Sequence, residues 1–305
     1  MDTQTEYDVV IVGGSVAGLS AALVLGRSLR RVLVVDSGKP CNRQTPHSHS
    51  FMTRDGETPA QLTSLAREQA LAYPTVQYLN GRVTTLSKNA DGFALTTDSQ
   101  TRIKARKVLL ATGLEDIMSP IDGFAESWGV SVLHCPYCHG YEVRNQPLGV
   151  LITGEHTADY VGLIHHWSQN LTLFTNGSAT LTDDQRGTIS RLNVPIIETP
   201  IAQIKHEQGL MNAVMLQDGS QVDLTALFAP VPFRQHSDLA QQLGCTLTST
   251  GLIQVTIVGQ TNVPGLFAAG DNSSPMRQLA VASANGVAAG AGINRELVTE
   301  EVAVY

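Results

Sequence analysis

The chain opens on two short apolar runs, at residues 9–12 and 32–35, which are separated by a glycine-rich turn and a stretch of small residues. Uninterrupted apolar runs of this length are typical of strands that are buried on both faces of a parallel sheet. Alanine, valine and leucine fill residues 21–25 and predict a helix that lies close to the sheet. The pattern therefore predicts a strand, a tight turn, a helix and a second strand that ends at Asp36.

The turn between the first strand and the helix has the features of a dinucleotide-binding turn. Gly13, Gly14 and Gly18 frame it, and glycine allows the backbone to approach a pyrophosphate while the helix N-terminus offers unpaired N–H groups. Ser15 replaces the middle glycine of the usual G-x-G-x-x-G pattern, but serine is small and keeps its N–H. Asp36 follows about 20 residues later, where a carboxylate can accept the ribose hydroxyls. Together these features predict a bound dinucleotide.

The composition is typical of a soluble globular protein, with 305 residues of which 42% are hydrophobic and 15% are charged. This length predicts two domains. The formal net charge of -7, without a basic run, argues against a nucleic-acid or anionic-membrane surface. The N-terminus lacks the basic segment of a signal peptide, and no apolar run reaches the ~18 residues of a membrane span. With only four cysteines, we expect a cytoplasmic protein without a membrane or nucleic-acid partner.

Two of the four cysteines form a C-x-x-C pair, in the sequence LHCPYCHGYEV at residues 133–143. The pattern fits a haem c attachment signature, a zinc site, a thioredoxin-like redox pair, or a disulfide that exchanges electrons with a flavin. Haem c attachment normally follows export, for which the sequence has no signal. The candidate zinc ligands are His134, Cys135, Cys138 and His139. They are crowded together, whereas zinc sites usually separate their ligands into two pairs.

Two later segments resemble a known family. One strand ends in the sequence ATG at residues 111–113, and the sequence GLFAAGD at residues 265–271 precedes a helix rich in small residues. Around a central C-x-x-C, these motifs resemble the low-molecular-weight thioredoxin reductase family of two-domain flavoproteins, over essentially the whole chain. The resemblance implies an α/β fold with two Rossmann-like, three-layer nucleotide-binding domains, the second inserted in the first. The implied boundaries are 1–116 and 234–305 for the FAD-binding domain and 117–233 for the inserted NADPH-type domain.

The resemblance also implies that the first domain binds FAD and that no metal is needed. Asp271 would bond the ribityl chain, and a helix that begins at residues 277–279 would face the flavin O2 side. His47 and His49 are candidates to line the flavin. The full set of implied FAD-binding residues is Gly13, Gly14, Ser15, Ala17, Gly18, Asp36, Ser37, Gln44, His49, Val83, Ala111, Thr112, Gly113, Gly270, Asp271, Gln278 and Leu279.

The inserted domain opens with its own strand and turn, but the turn has lost its nucleotide-binding features. The family pattern is G-x-G-x-x-A, whereas this chain reads TGEHTA at residues 153–158, with Glu155 at the second glycine position. A carboxylate ~4 Å from a pyrophosphate costs up to ~4 kcal/mol at an effective dielectric constant of about 20, which is about a thousandfold in affinity. The arginines that would pair with an NADPH 2′-phosphate are also missing, since residues 175–177 read TNG and the next basic residue is Arg186. NADPH is therefore not expected to be the natural reductant.

The family places its C-x-x-C disulfide against the flavin. Pro136 suits the first turn of a helix, which predicts Cys135 near the helix N-terminus, where the dipole favours a thiolate. By resemblance, Cys138 faces the flavin C4a and Cys135 exchanges with the substrate. His139 departs from the aspartate usual at this position, and an imidazole can take a thiol proton near neutral pH. The sequence CPYCHGYE and the missing NADPH motif together are similar to the gliotoxin-type dithiol oxidases and related bacterial enzymes that close disulfides in natural products.

We therefore expect an FAD-dependent oxidoreductase that acts on sulfur groups, with Cys135, Cys138 and His139 as its catalytic residues. The favoured function is a dithiol oxidase with oxygen as the acceptor. Two alternatives stay open: a thioredoxin reductase-like enzyme fed by ferredoxin or another non-NADPH donor, and a flavin-bound redox sensor with little turnover. Small dithiols, peptides and thioredoxin-like proteins are all candidate substrates. The resemblance implies a homodimer, and Cys41 and Cys245 are expected to be inert packing residues.

Overall fold

A computed structural model of the protein describes residues 6–303 and has the α/β fold that the sequence predicts. The strands over these residues are β1 (Glu6–Val12), β2 (Val32–Asp36), β3 (Val76–Asn80), β4 (Val83–Asn89), β5 (Gly92–Thr97), β6 (Arg102–Leu110), β7 (Leu114–Asp116), β8 (Val132–Leu133), β9 (Leu148–Leu151), β10 (Leu171–Phe174), β11 (Ile196–Ile197), β12 (Ile201–Glu207), β13 (Leu210–Leu216), β14 (Gln221–Asp223), β15 (Ala226–Phe228), β16 (Phe233–Gln235) and β17 (Leu266–Ala268). The helices are α1 (Val16–Arg27), α2 (Pro59–Leu71), α3 (Phe124–Ser127), α4 (Pro136–His139), α5 (Thr157–His165), α6 (Asp183–Arg191), α7 (Leu239–Gln242) and α8 (Leu279–Val302).

These elements form two units, each with its own hydrophobic core. Unit 1 contains residues 6–43, 50–115 and 233–303 of the described chain. Unit 2 contains residues 44–49 and 116–232. The second unit is therefore an insertion in the sequence of the first, and a short piece of the loop after β2 belongs to it as well.

The sheet of unit 1 has seven strands in the order β3-β2-β1-β6-β5-β4, with β17 paired to β6. Strands β3, β2, β1, β6 and β17 run parallel, while β4 and β5 are antiparallel. Successive side chains of a strand point to opposite faces. On β1, Val10 and Val12 therefore enter one core, and Val9 and Ile11 enter the other. The two cores explain why the first apolar run is uninterrupted.

Helices α1 and α8 cover one face of this sheet and pack against each other. Leu25 of α1 and Ile293 and Leu297 of α8 are fully buried there. A Cβ atom on Gly286 of α8 would lie 2.1 Å from the carbonyl oxygen of Ala17 in α1. The small-residue composition of both helices therefore allows them to approach closely beside the dinucleotide-type turn.

Unit 2 has three layers around a five-stranded parallel sheet of order β11-β10-β9-β15-β8. One face of this sheet packs against α5 and α6 through Val161, Ile164 and Ile189. The other face packs against α3 and against the antiparallel sheet β12-β13-β14, with Phe124 and Val214 among the buried residues. The repeated strand–helix order β9-α5-β10-α6-β11 gives this unit the Rossmann-type arrangement expected for the inserted domain.

Strands β7 and β16 form a separate two-stranded sheet. Within residues 6–303, no helix is both long enough and apolar enough to span a bilayer.

Candidate active site

Gly13 forms the tight turn after β1 in unit 1. Its φ of +111° lies in a region that L side chains rarely adopt. A Cβ atom at this position would lie 2.2 Å from the carbonyl oxygen of Ala111, so a side chain has no room. The Gly13 N–H donates to the Val35 carbonyl at 2.8 Å and ties the turn to β2. The turn is thus fixed in the shape that lets a ligand approach the backbone.

The carboxylate of Asp36 lies at the end of β2, directly beside this turn. Its Oδ1 accepts a hydrogen bond from Gly14 N at 3.0 Å, and its Oδ2 accepts from the Tyr78 hydroxyl at 2.8 Å and from Gly38 N at 3.1 Å. Burial and the hydrogen bond to Asp36 raise the pKa of Tyr78 to about 12, so this tyrosine remains a donor. Carboxylate oxygens have about four lone-pair positions, so Asp36 keeps acceptor capacity for a ribose hydroxyl.

The N-terminus of α1 follows the turn with its first N–H groups uncapped. Ser15 is the N-cap residue, in extended backbone, and its side chain makes no capping hydrogen bond. Ala17 and Gly18 are buried in the first turn of this 12-residue helix. An uncapped helix N-terminus beside a glycine turn suits a pyrophosphate, because the free N–H groups and the helix dipole both favour an anion. These features fit FAD, which needs such a cradle for its diphosphate.

Asn272 connects the ends of two strands that the sequence assigned to the flavin site. Its fully buried side chain donates through Nδ2 to the Leu110 carbonyl at 2.8 Å and to the Thr112 hydroxyl at 3.3 Å. Its Oδ1 atom is buried without a partner among the described residues, which leaves an acceptor for a cofactor or water donor. Sequence reasoning missed Asn272, although it directly follows the Gly270-Asp271 pair.

The remaining sequence-derived FAD candidates are divided between the units. Unit 1 contains Ser37, Val83, Thr112, Gly113, Gly270, Asp271, Gln278 and Leu279, whereas Gln44 and His49 belong to unit 2. Val83 is buried at the start of β4, and Ser37 is exposed. Asp271 faces Arg277, with 3.6 Å between its Oδ2 and the guanidinium Nε. Helix α8 begins at Leu279 after Gln278, so Arg277 precedes the helix that it was expected to start.

The C-x-x-C pair forms a disulfide in unit 2. Cys135 and Cys138 are bonded, with their Cα atoms 5.3 Å apart. Pro136 opens the single turn of α4 and Cys135 is its N-cap, as the sequence predicts. One turn aligns few peptide dipoles, so the electrostatic effect of this helix on the cysteine is smaller than that of a long helix.

The two tryptophans of unit 2 hold the segment around the disulfide. Trp128 is buried and its ring stacks on His134, with 5.8 Å between the centroids. Trp167 packs against Gly140, where a Cβ atom would lie 2.9 Å from the indole, and meets the Tyr137 ring edge to face at 5.6 Å. Both tryptophans therefore anchor the segment that carries the disulfide.

The disulfide favours the two redox interpretations of the cysteine motif over a zinc site or a haem c attachment. A sulfur in a disulfide is neither the thiolate that binds zinc nor the thioether of a haem c linkage. Within residues 6–303, no group of three or more His, Cys, Asp or Glu side chains is arranged to hold a metal ion. Outside the pair, Cys245 is buried and burial raises the pKa of its thiol, in agreement with a packing role, while Cys41 is half-buried in the loop after β2.

His139 ends α4, immediately after Cys138, and is half-buried. Burial lowers its pKa, while Glu142 opposes this effect and His49 adds to it. The His49 Nε2 and Glu142 Oε1 atoms are 3.4 Å apart. The neighbourhood of the disulfide thus contains a neutral imidazole at physiological pH together with a carboxylate and a second imidazole. Sequence reasoning did not single out Glu142, although its spacing of three residues from His139 was visible.

The turn after β9 in unit 2 is closed by its own hydrogen bonds. Gln185 Nε2 donates to the carbonyl oxygens of Gly154 at 3.1 Å and Glu155 at 2.7 Å. The Thr157 hydroxyl donates to the same Gly154 oxygen at 2.9 Å. Gln185 is itself fixed by a capping box with Thr182 at the start of α6. The Glu155 side chain is exposed, so a carboxylate stands at the second glycine position of the nucleotide-binding pattern.

The position of the missing arginines, after β10, is occupied by residues with structural roles. The Thr175 hydroxyl donates to the Gly177 carbonyl at 2.6 Å, and Asn176 Oδ1 accepts from Ile201 N at 2.8 Å. Arg186, the next basic residue, forms an ion pair with Glu198 at 3.3 Å. The cation that follows this strand is therefore already paired with a carboxylate.

Comparison with known proteins decides the family. The profile of the pyridine nucleotide-disulphide oxidoreductases matches residues 7–286. The chain belongs to this family. It is 32% identical to thioredoxin reductase tcpT of Claviceps purpurea, over 98% of this chain and 97% of that protein.

Solved structures agree with this assignment. A putative thioredoxin reductase TrxB from Bacillus anthracis has a TM-score of 0.92 and 31% identity, and covers 97% of this chain and 99% of its own. The structure of HlmI has a TM-score of 0.92 and 36% identity, over 98% of this chain and 95% of its own. This pyridine nucleotide-disulphide oxidoreductase is therefore a thioredoxin reductase-like flavoprotein that uses FAD and acts on sulfur groups.

Proposed function

We propose that this flavoprotein is a dithiol oxidase that closes a disulfide in its substrate and passes the electrons to oxygen. The net reaction converts one dithiol and one O₂ into one disulfide and one H₂O₂. Two electrons and two protons leave the substrate and reduce one oxygen molecule, so that no other reductant or oxidant is consumed.

The observation that carries the proposal is the closed turn after β9. A dinucleotide needs free backbone N–H groups at this place, and its 2′-phosphate needs cations beyond the next strand. Instead, the exposed carboxylate of Glu155 lies in this turn, Gln185 fixes the turn through the carbonyls of Gly154 and Glu155, and Arg186 is paired with Glu198. A turn that disfavours NADPH supports a scheme in which the electrons enter from the thiol side. This favours oxidation of a dithiol over reduction of a disulfide.

The chemistry of the chain itself is thiol–disulfide exchange. We assign Cys135 to the substrate and Cys138 to the flavin, as the family resemblance implies. A substrate thiol loses its proton to His139 and its thiolate attacks the Cys135 sulfur, which breaks the Cys135–Cys138 bond. The second substrate thiolate then attacks the substrate sulfur of the mixed disulfide. This attack releases oxidised substrate and leaves both enzyme cysteines reduced, with two electrons and two protons gained by the enzyme.

When bound, FAD would supply a two-electron acceptor for the reduced cysteine pair, with oxygen as the final acceptor. His139 suits its proposed part because burial lowers its pKa and keeps the imidazole neutral, and hence able to accept a proton, at physiological pH. Its place directly after Cys138 keeps it with the disulfide on the same short segment.

The test is oxygen uptake by the purified holoenzyme with a panel of thiols. The panel contains a small vicinal dithiol, a reduced cyclic dipeptide dithiol, a reduced thioredoxin-like protein and a monothiol. We expect one O₂ consumed and one H₂O₂ formed for every two thiols lost, with at least one dithiol and without NADPH. Cys138→Ser should abolish uptake, while Cys245→Ser, a matched change outside the pair, should preserve it. Thioredoxin reduction that requires ferredoxin, with no dithiol-driven oxygen uptake, would contradict the proposal.

A further inference from the structure

The carboxylate of Glu142 contacts one histidine of unit 2 and interacts electrostatically with a second. On one side, its Oε1 is 3.4 Å from His49 Nε2. On the other, it belongs to the segment that continues from α4, three residues after His139, and interacts with that imidazole electrostatically. The side chains of Glu142 and His49 are 41% and 22% exposed, so the contact lies at the edge of the unit and not in its core.

We propose that Glu142 is a positioning residue, whose carboxylate is shared between His139 and His49 and holds His139 ready to receive the proton of a substrate thiol. The inference rests on the proposed function, in which His139 is the base. In this scheme Glu142 acts on the reaction through His139.

The surroundings of His139 have opposing effects on the pKa of its imidazole. Burial disfavours the imidazolium form, and so does a nearby protonated His49, whereas the Glu142 carboxylate favours it. The nearest cationic side chain on the same segment, Arg144, is directed elsewhere: its guanidinium lies 3.8 Å over the Tyr141 ring and donates to the Tyr141 carbonyl. Glu142 is therefore the group that offsets the cost of charging His139.

The proton balance shows why such a carboxylate is useful. When the substrate S–H proton moves to His139, the imidazole gains a positive charge and the sulfur becomes a thiolate that attacks the disulfide. A base whose charged form is destabilised by burial alone accepts the proton poorly. The Glu142 carboxylate stabilises the imidazolium at that step, and the pair with His49 limits the movement of the carboxylate.

The first arm of the test measures His139 directly, without turnover. Histidine ring resonances of the oxidised protein are followed by NMR as a function of pH. Glu142→Gln should lower the pKa of His139, because the favourable charge is removed. His49→Gln should raise the pKa of His139, because a repelling charge is removed. Glu126→Gln, an exposed change in α3 of the same unit, should leave it unchanged. Shifts of the His139 pKa in opposite directions in these two variants cannot arise from a general loosening of the segment.

The second arm measures kcat/KM for the dithiol against pH. Glu142→Gln should move the acidic limb to lower pH and reduce the plateau by less than the roughly 10²–10⁴-fold loss typical of removing a general base. Glu142→Asp should restore part of the loss, since the charge returns. If the parent oxidises dithiols but Glu142→Gln changes neither the His139 pKa nor the pH profile, the inference is wrong and the proposed function stands. A parent that oxidises no dithiol removes the reaction on which the inference rests and overturns both.

Discussion

Replacing Gly13 with alanine should remove FAD binding, because this glycine shapes the turn that holds the cofactor. The residue has a φ of +111°, and the added Cβ atom would lie 2.2 Å from the Ala111 carbonyl oxygen and 2.7 Å from its carbon. Both neighbours are backbone atoms of the strand end that carries the ATG sequence. The clash therefore cannot be relieved by a rotation of a side chain.

The size of the effect follows from two contributions. An L residue in a sparsely populated backbone region costs about 1–3 kcal/mol, and forcing an extra methyl into a packed place costs about 1–3 kcal/mol more. The sum of about 2–6 kcal/mol is large beside the ~5–15 kcal/mol that stabilises an average protein. Gly244 offers the matched control, since its φ is +71° but a Cβ atom there meets nothing within 4 Å. Gly244→Ala should therefore cost only about 1–2 kcal/mol.

The assay combines the FAD content of the purified protein with thermal unfolding. At roughly 2–4 °C per kcal/mol, Gly13→Ala should unfold on the order of 10 °C below the parent and contain little flavin, even after incubation with excess FAD. Gly244→Ala should contain one FAD per chain and unfold a few degrees lower. If Gly13→Ala retains one FAD per chain and unfolds at the same temperature as Gly244→Ala, the assignment of this turn to the cofactor is refuted.

Three further expectations can be checked with purified protein. Cys135→Ser should give a long-wavelength charge-transfer band, because the proposed assignment leaves Cys138 as the thiolate that faces the flavin, whereas Cys138→Ser should give none; a band in Cys138→Ser instead would reverse the two assignments. His139→Ala should slow dithiol oxidation by roughly 10²–10⁴-fold, and an unchanged rate in this variant would place the base elsewhere. The parent should lose activity only below the ordinary histidine pKa of about 6.5, because burial lowers the pKa of His139 and keeps the base neutral to lower pH. Light scattering should give twice the mass of one chain, and a monomer would contradict the homodimer.

The sequence predicted the parts of the fold and site that depend on local patterns. The turn from Gly13 to Gly18, the strand that ends at Asp36 and the helix that opens at Pro136 all depend on residue types at short, fixed spacings. The pairing of Cys135 with Cys138 was likewise implied by a local motif within a recognisable family. Each of these features can be read within about 20 residues.

Apart from Glu142, the residues that were missed act across long distances in the chain. Tyr78 binds Asp36 from 42 residues away, and Asn272 binds Leu110 from 162 residues away. Gln185 closes the turn at Gly154 from 31 residues away. A single tyrosine, asparagine or glutamine has no spacing pattern of its own, so its role becomes visible only when the fold brings its partner beside it.

The direction of electron entry is the central claim, and anaerobic reduction of the flavin tests it most directly. The oxidised holoenzyme is mixed without oxygen with either a dithiol substrate or micromolar NADPH, and the flavin absorbance is followed in a stopped-flow instrument. We expect the dithiol to bleach the flavin with one equivalent per chain, admission of oxygen to restore the colour with formation of H₂O₂, and NADPH to leave the flavin oxidised, because the exposed Glu155 carboxylate disfavours a pyrophosphate at the turn and Arg186 is paired with Glu198. Rapid bleaching by NADPH, with no response to any dithiol, would contradict the account.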